Sequence, residues 1–189
     1  MTLVSLACRA ETKSSQMHED FTTELHTPAI PNKQVSNVTT FMSRQLKSFP
    51  RLSGAKVELI DDYIIKYTIK ASRLFAPNEF SLLNQATEYL APVLPFLRHY
   101  GKYKVILTMH TDDTGSDEYR EILCDNRLLS LNDFFDTKIG ARTLISSFSM
   151  SDSMPKFPNN SHKYRDENRR VDIYIIPGPS FMNDFKSKK

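Results

Sequence analysis

The residues best placed to do chemistry lie in one short run, His110-Thr111-Asp112-Asp113-Thr114-Gly115, and in Arg127, fifteen positions beyond Asp112. The run follows a strand-like stretch, Lys104 to His110, and precedes a helical pattern that starts near Glu118. Loops at strand ends are where a rigid scaffold presents polar groups. Arg127 falls about two to three turns into that helix. If the loop folds back, as its glycine permits, Asp112 and Arg127 can converge. A carboxylate and a guanidinium facing one groove have two uses. They can pair as a structural salt bridge, or they can hold a zwitterion between them, the aspartate taking an ammonium and the arginine fork a carboxylate. Spacing alone leaves both open.

Other chemistry is poorly supplied. His110, Asp112, Asp113 and Ser116 are close enough in sequence to raise metal ligation or an activated nucleophile. Strand alternation, however, puts His110 and Asp112 on one side only while the strand lasts, and no HExxH-type spacing exists. His18, His26, His99 and His162 form no constellation with them. The reading is therefore a non-catalytic site without cofactor or metal. Five glycines in 189 residues are too few for a glycine-rich phosphate loop. A net charge of +3, with scattered basic residues and no interleaved aromatics, argues against nucleic acid. No stretch reaches the roughly 18 apolar residues that span a bilayer. Of the two cysteines, Cys124 lies in a helical pattern and reads as a small core residue. Cys8 ends the segment Leu3-Val4-Ser5-Leu6-Ala7-Cys8, which resembles the end of a bacterial lipoprotein signal, although only seven residues precede it.

The elements that must position these groups can be read along the chain. Residues 1–33 are expected to form a flexible polar leader or tether, with Pro28 and Pro31 stiffening its far end. Residues 34–55 hold a short amphipathic helix around Val38–Lys47 and a linker. Residues 56–178 form the single folded domain. The run Val57 to Ile69 reads as one long strand or as a hairpin turning at Asp61-Asp62. Phe80, Leu83, Tyr89 or Leu90, Leu94 and Leu97 predict a long helix from Asn78, kinked near Ala91 by Pro92 and Pro95. Strand Lys104–His110, the Asp113–Asp117 loop and a helix from Glu118 follow, the helix burying Cys124, Leu128, Leu131 and Phe135. A strand at Arg142–Met150, a polar loop, a short helix to Asn168 and an alternating strand Val171–Ile176 complete the domain. A basic tail covers residues 179–189. Strands separated by helices imply an α/β (α+β) two-layer sandwich.

The ordered set Leu74-Phe75, His110-Thr111-Asp112-x-x-Gly115, Leu123-x-x-x-Arg127 and Asn168-Arg169-Arg170-Val171 resembles the OmpA C-terminal domain family. That family includes peptidoglycan-associated lipoproteins and the motor protein MotB. The resemblance covers roughly 120 residues and implies a βαβαβαβ sandwich. It also implies that Asp112 and Arg127 bind the diaminopimelate of the peptidoglycan peptide stem, whose ammonium and carboxylate sit on one carbon. Thr111 and Thr114 would add hydroxyl hydrogen bonds and Phe75 an apolar wall, with Asn168 and Arg169 supporting from the last helix. Arg170 reads as a fold-stabilising residue.

The implied protein is a non-catalytic envelope component of a Gram-negative bacterium, periplasmic or associated with the outer membrane. It would tie outer membrane to cell wall, with peptidoglycan as partner, envelope proteins as further partners, and a lipid at Cys8 as the membrane contact. The alternative is an OmpA-like module that has lost peptidoglycan binding and serves envelope assembly. The departures from the family pattern motivate it: Met109 for glycine, Arg120 for asparagine, Cys124 for serine, Leu128 for alanine, Ser149 and Ser151 in the region of a GxG, and Tyr164 for glycine. Arg120 is the departure nearest the groove, where it either adds a ligand contact or claims Asp112.

Overall fold

Asp61 and Asp62 turn the chain as the hairpin reading requires, with φ of +47° and +66°. Aspartate is among the few residues that tolerate this left-handed region. On either side, β1 (Ala55–Ile60) and β2 (Ile64–Lys70) pair antiparallel, with Ile60 opposite Ile64 closing the turn. The computed structural model describes residues 15–26, 29–99, 101–140, 143–178 and 180–181. Three more strands complete one five-stranded sheet in the order β1-β2-β5-β3-β4: β3 (Tyr103–His110), β4 (Ile145–Ser151) and β5 (Arg170–Pro177). Only β3 and β4 run parallel. Such a pair needs a long crossover, and helix α5 (Asp117–Ile139) supplies it. The hairpin adds a strand to the expected βαβαβαβ order.

One face of the sheet meets the main core. Tyr67 and Ile69, Val105 and Leu107, and Val171, Ile173 and Ile175 pack there with Cys124, Leu128, Leu131 and Phe135 of α5. Helix α5 is delimited by its own chemistry. The Ser116 hydroxyl accepts the Tyr119 amide at 3.2 Å as N-cap, and Gly140, at φ +76°, ends it in the left-handed conformation. Cys124 is fully buried, and burial pushes its thiol up to about 11, as suits an inert core residue.

Several expectations change. The leader is not wholly a tether: residues 15–25 form a helix, α1, whose Phe21 and Leu25 are buried against Ile64, Ile106, Met150, Tyr174 and Ile176 on the second face of the sheet. Cys8 and its lipoprotein-like segment lie outside the described residues. Helix α2 spans Asn32–Leu46, starting earlier than expected, and buries Val38 and Met42. The long helix from Asn78 does not form. Residues 76–85 are irregular, joined to the preceding turn by the Phe75–Leu82 bridge. Helicity follows only as α3 (Ala86–Leu90), a 3₁₀ turn (Ala91–Val93) and α4 (Leu94–Leu97). Pro92 and Pro95 each sit at the start of a new piece, where a missing N–H costs least. Strand β5 alternates in sequence, yet all eight of its residues are buried, because α1 and the polar loops cover its second face. Phe181, assigned to the basic tail, is 1% exposed and packs edge-on against Phe41. Helix α6 (His162–Asn168) matches the short polar helix expected there.

Candidate functional site

Strand β3 ends at His110, and the chain then turns across the N-terminal end of α5. Thr111 donates its amide to Ser151 O at 2.8 Å, which ties the start of the loop to the end of β4. Asp112 follows, and its Oδ1 accepts the Thr114 amide at 3.0 Å. Its Oδ2 is ion-paired with Arg169 Nη1, and Arg169 Nη2 reaches Asp166 at 3.3 Å. Burial works against charge on Asp112, but the Thr114 amide and the Arg169 guanidinium outweigh it and hold the carboxyl below its ordinary range.

Arg127 reaches the same place from α5. It is 4% exposed, and no acidic side chain pairs with it among the described residues. Its Nε donates to Glu79 O at 2.8 Å and its Nη2 to Ala76 O at 3.4 Å, while the guanidinium carbon lies 4.9 Å from the Phe75 ring centre. The irregular segment after Phe75 thus turns two carbonyls toward Arg127, that of Ala76 shared with the Glu79 amide at 3.1 Å. Burial pulls the Arg127 pKa downward, though an arginine stays charged. Arg127 and Asp112 do not pair with each other. Both line a cleft of about 470 Å³.

The sequence-derived set divides accordingly. Asp112, Arg127, Thr111, Thr114, Phe75, Arg120 and Arg169 all line the cleft. The Thr111 hydroxyl is buried without a partner. Asn168 does not line it. It is fully buried, accepting the Lys156 and Phe157 amides at 2.9 and 3.0 Å and donating to Phe157 O at 2.7 Å, so it shapes the loop before α6. Arg120 leaves Asp112 alone. Its guanidinium is held by Asp117, by Asp152 at 3.1 Å and by Gly115 O at 2.6 Å. Tyr119, Leu123 and the Ala76-Pro77-Asn78 segment also line the cleft, beyond the residues expected there. Tyr119 and Leu123 lie on the α5 turns between Ser116 and Arg127, a position visible in the sequence. The role of residues 76–78 follows from the irregular path, which no periodicity signals.

The members of the candidate catalytic cluster are dispersed. Among the cleft-lining residues His110 is absent; it points to the second face of the sheet, 2.9 Å from Thr108 Oγ1 and 3.6 Å from Asp172 Oδ2. Asp113 pairs with Arg165 at 3.1 Å, and Ser116 caps α5. Among the described residues, no three His, Cys, Asp or Glu side chains gather as a metal site would need.

No family model matches the chain. Over 142 residues it is 26% identical to the peptidoglycan-associated lipoprotein of Buchnera aphidicola subsp. Baizongia pistaciae, covering 74% of this chain and 82% of that protein. A putative MotB-like protein from Desulfovibrio vulgaris superposes with a TM-score of 0.62 at 19% identity, covering 77% of this chain and 92% of its own. The cell wall anchor of the T6SS from Pseudomonas aeruginosa superposes with a TM-score of 0.57 at 24% identity, covering 74% and 96%. The five-stranded sheet and its helices have the fold of OmpA C-terminal-like domains. Within that class, the likeness runs to MotB-type and peptidoglycan-associated domains.

Proposed function

We propose that the cleft binds the diaminopimelate of a peptidoglycan peptide stem and that the protein is a non-catalytic anchor in the periplasm of a Gram-negative bacterium, tying outer membrane to cell wall. One observation carries this reading: Arg127 is a buried guanidinium without an acidic partner among the described residues, lining a cleft that it shares with Asp112. A buried charge is costly unless paired, and a ligand carboxylate is the missing partner. Arg127 Nη1 makes no hydrogen bond to the described residues, which leaves that donor for the ligand. Asp112 takes the ammonium. A carboxylate has about four lone-pair positions, and Thr114 and Arg169 use two. Phe75 supports the Arg127 guanidinium from below. The names of two similar proteins, a peptidoglycan-associated lipoprotein and a cell wall anchor, support the coarser part of this reading, a cell-wall ligand.

A few charge-assisted hydrogen bonds, less desolvation and ordering, give a Kd of about 10 μM to 1 mM per site. A repeating wall makes such weak sites effective by multivalency. The second reading, a module for envelope assembly without wall binding, draws on Arg169, which already occupies one oxygen of Asp112. Sedimentation with insoluble peptidoglycan separates the two. Wild type should pellet with the wall, while Asp112→Ala and Arg127→Ala should stay in the supernatant. If all three sediment equally little, wall binding is wrong and the assembly reading stands.

A further inference from the structure

We propose that Arg120 is a positioning residue that fixes the loop carrying Asp112, so that this carboxylate stays presented in the cleft shared with Arg127. The inference rests on the peptidoglycan reading for its ligand but on independent geometry for its mechanism. The loop between β3 and α5 spans residues 111–116 and is pinned at three places. Thr111 N binds Ser151 O at its start, and the Ser116 hydroxyl caps α5 at its end. Arg120 pins the middle. Its Nη1 donates to Gly115 O at 2.6 Å and to Asp113 O at 3.4 Å, on either side of Thr114, whose amide holds Asp112.

The other end of the guanidinium explains why this brace is rigid. Nη2 meets the carboxylates of Asp117, in the first turn of α5, and Asp152, 3.1 Å away in the turn after β4. Ser151, the neighbouring residue at the end of β4, supplies its carbonyl to Thr111, so two of the three pins hang from adjacent residues. Gly115 sits at φ +90° beneath the brace, in a conformation that lets its carbonyl point at Arg120. The donors at the two ends of the guanidinium are also engaged. An arginine has five N–H groups. The four on Nη1 and Nη2 have four acceptors here, and the fifth, on Nε, is buried without a partner. A residue 8% exposed, with its guanidinium engaged at both ends, is poorly placed to contact a ligand, although it lines the cleft wall. Its effect on binding must pass through the loop.

The test titrates free diaminopimelate into wild type, Arg120→Ala, Arg120→Lys and Asp152→Asn, following the backbone amides and the arginine Nε–H signals by NMR, with thermal melts as control. Arg120→Ala should weaken diaminopimelate binding about tenfold, the scale of one charge-assisted contact. It should shift the signals of residues 113–115, read at the Thr114 amide, and leave the Arg127 Nε–H signal in place. Arg120→Lys, with one ammonium for four acceptors, should recover part of the affinity. Asp152→Asn should show the same pattern more weakly, and it serves if Arg120→Ala does not fold. A folded variant whose Thr114 amide moves while affinity stays within about twofold overturns the inference. So does a fall in affinity with the Thr114 amide unmoved. If wild type itself does not bind diaminopimelate, the peptidoglycan reading fails, and the Thr114 amide alone still decides whether Arg120 holds the loop.

Discussion

At the scale of residues, Arg127 is where stability and function pull apart. The fold surrounds its guanidinium with the Phe75 ring and the carbonyls of Glu79 and Ala76 but gives it no counter-charge among the described residues. A buried guanidinium without a counter-charge carries a desolvation cost that an apolar side chain of similar length does not. Arg127→Met should therefore unfold in urea within about 1 kcal/mol of wild type, because the methionine keeps the contact with Phe75 and the Ala76 carbonyl keeps the Glu79 amide. The same variant should lose diaminopimelate affinity by about 10- to 100-fold, since the carboxylate then has no fork to grip. An Arg127→Met protein that unfolds far more easily, with affinity unchanged, would mean that the arginine is there for the fold alone.

At the scale of elements, what is legible in the sequence depends on whether an element's own residues dictate it. Helix α5 is readable because Cys124, Leu128, Leu131 and Phe135 recur on one face, whereas its Ser116 cap and its end at Gly140 come from the structure. The stripe also carries a signal that is easily passed over. Arg120 and Arg127 fall on it two turns apart, and a cation at a core position asks for a partner. Asp112 is readable because it follows a strand so closely. The segment after Phe75 is not, because Phe80, Leu83 and Leu90 imitate a helical period while Phe80 in fact stands 47% exposed. That segment is held by the Phe75–Leu82 bridge and by Leu83 N on Leu74 O at 2.9 Å, and Arg127 adds a contact across 48 residues. Helix α1 escapes a sequence reading for a different reason. Residues 15–25 are polar enough to pass for a tether, and the apolar contacts with the sheet come only from Phe21, Leu25 and Met17. Phe21 is the test of that docking. It meets Phe148 and Tyr174 with ring centres 5.6 and 5.3 Å apart. Phe21→Ala should cost about 3 kcal/mol in urea unfolding. Diaminopimelate affinity should hold, since no α1 residue lines the cleft. A cost below about 0.5 kcal/mol, the range of an ordinary surface change, would show that α1 does not contribute to the folded domain.

At the scale of the whole molecule, the sheet carries two kinds of chemistry on its two faces. The cleft lies at the end of β3 beside α5, while the second face holds a buried polar cluster centred on Asp172, which is fully buried on the central strand. Arg170 Nε lies 3.0 Å from its Oδ2, Lys66 Nζ 3.2 Å and His110 Nε2 3.6 Å, and Thr68 donates its hydroxyl to Oδ1 at 2.6 Å. His110 is held neutral there. Burial first, then the Arg170 charge, with Lys66 and His18 adding to it, lowers its pKa from 6.5 to about 3, against the opposing pull of Asp172. Lys156 adds positive charge beside the same cluster. Below the ordinary histidine value the unfolded chain binds a proton that the folded one refuses, so stability rises with pH across this window and is lost as pH falls from about 6.5 toward 3. The depressed carboxyls of Asp112, Asp166 and Asp172 act in the same direction, but their contribution fails only below 3.8, as each is protonated. The two windows therefore separate. The wild-type urea midpoint should drop between about pH 7 and about pH 4.5, and His110→Gln, which cannot take up the proton in either state, should flatten that drop while keeping the acid transition below it. A variant with the wild-type slope between those two pH values would assign it to other groups and leave His110 as a neutral filler beneath the central strand.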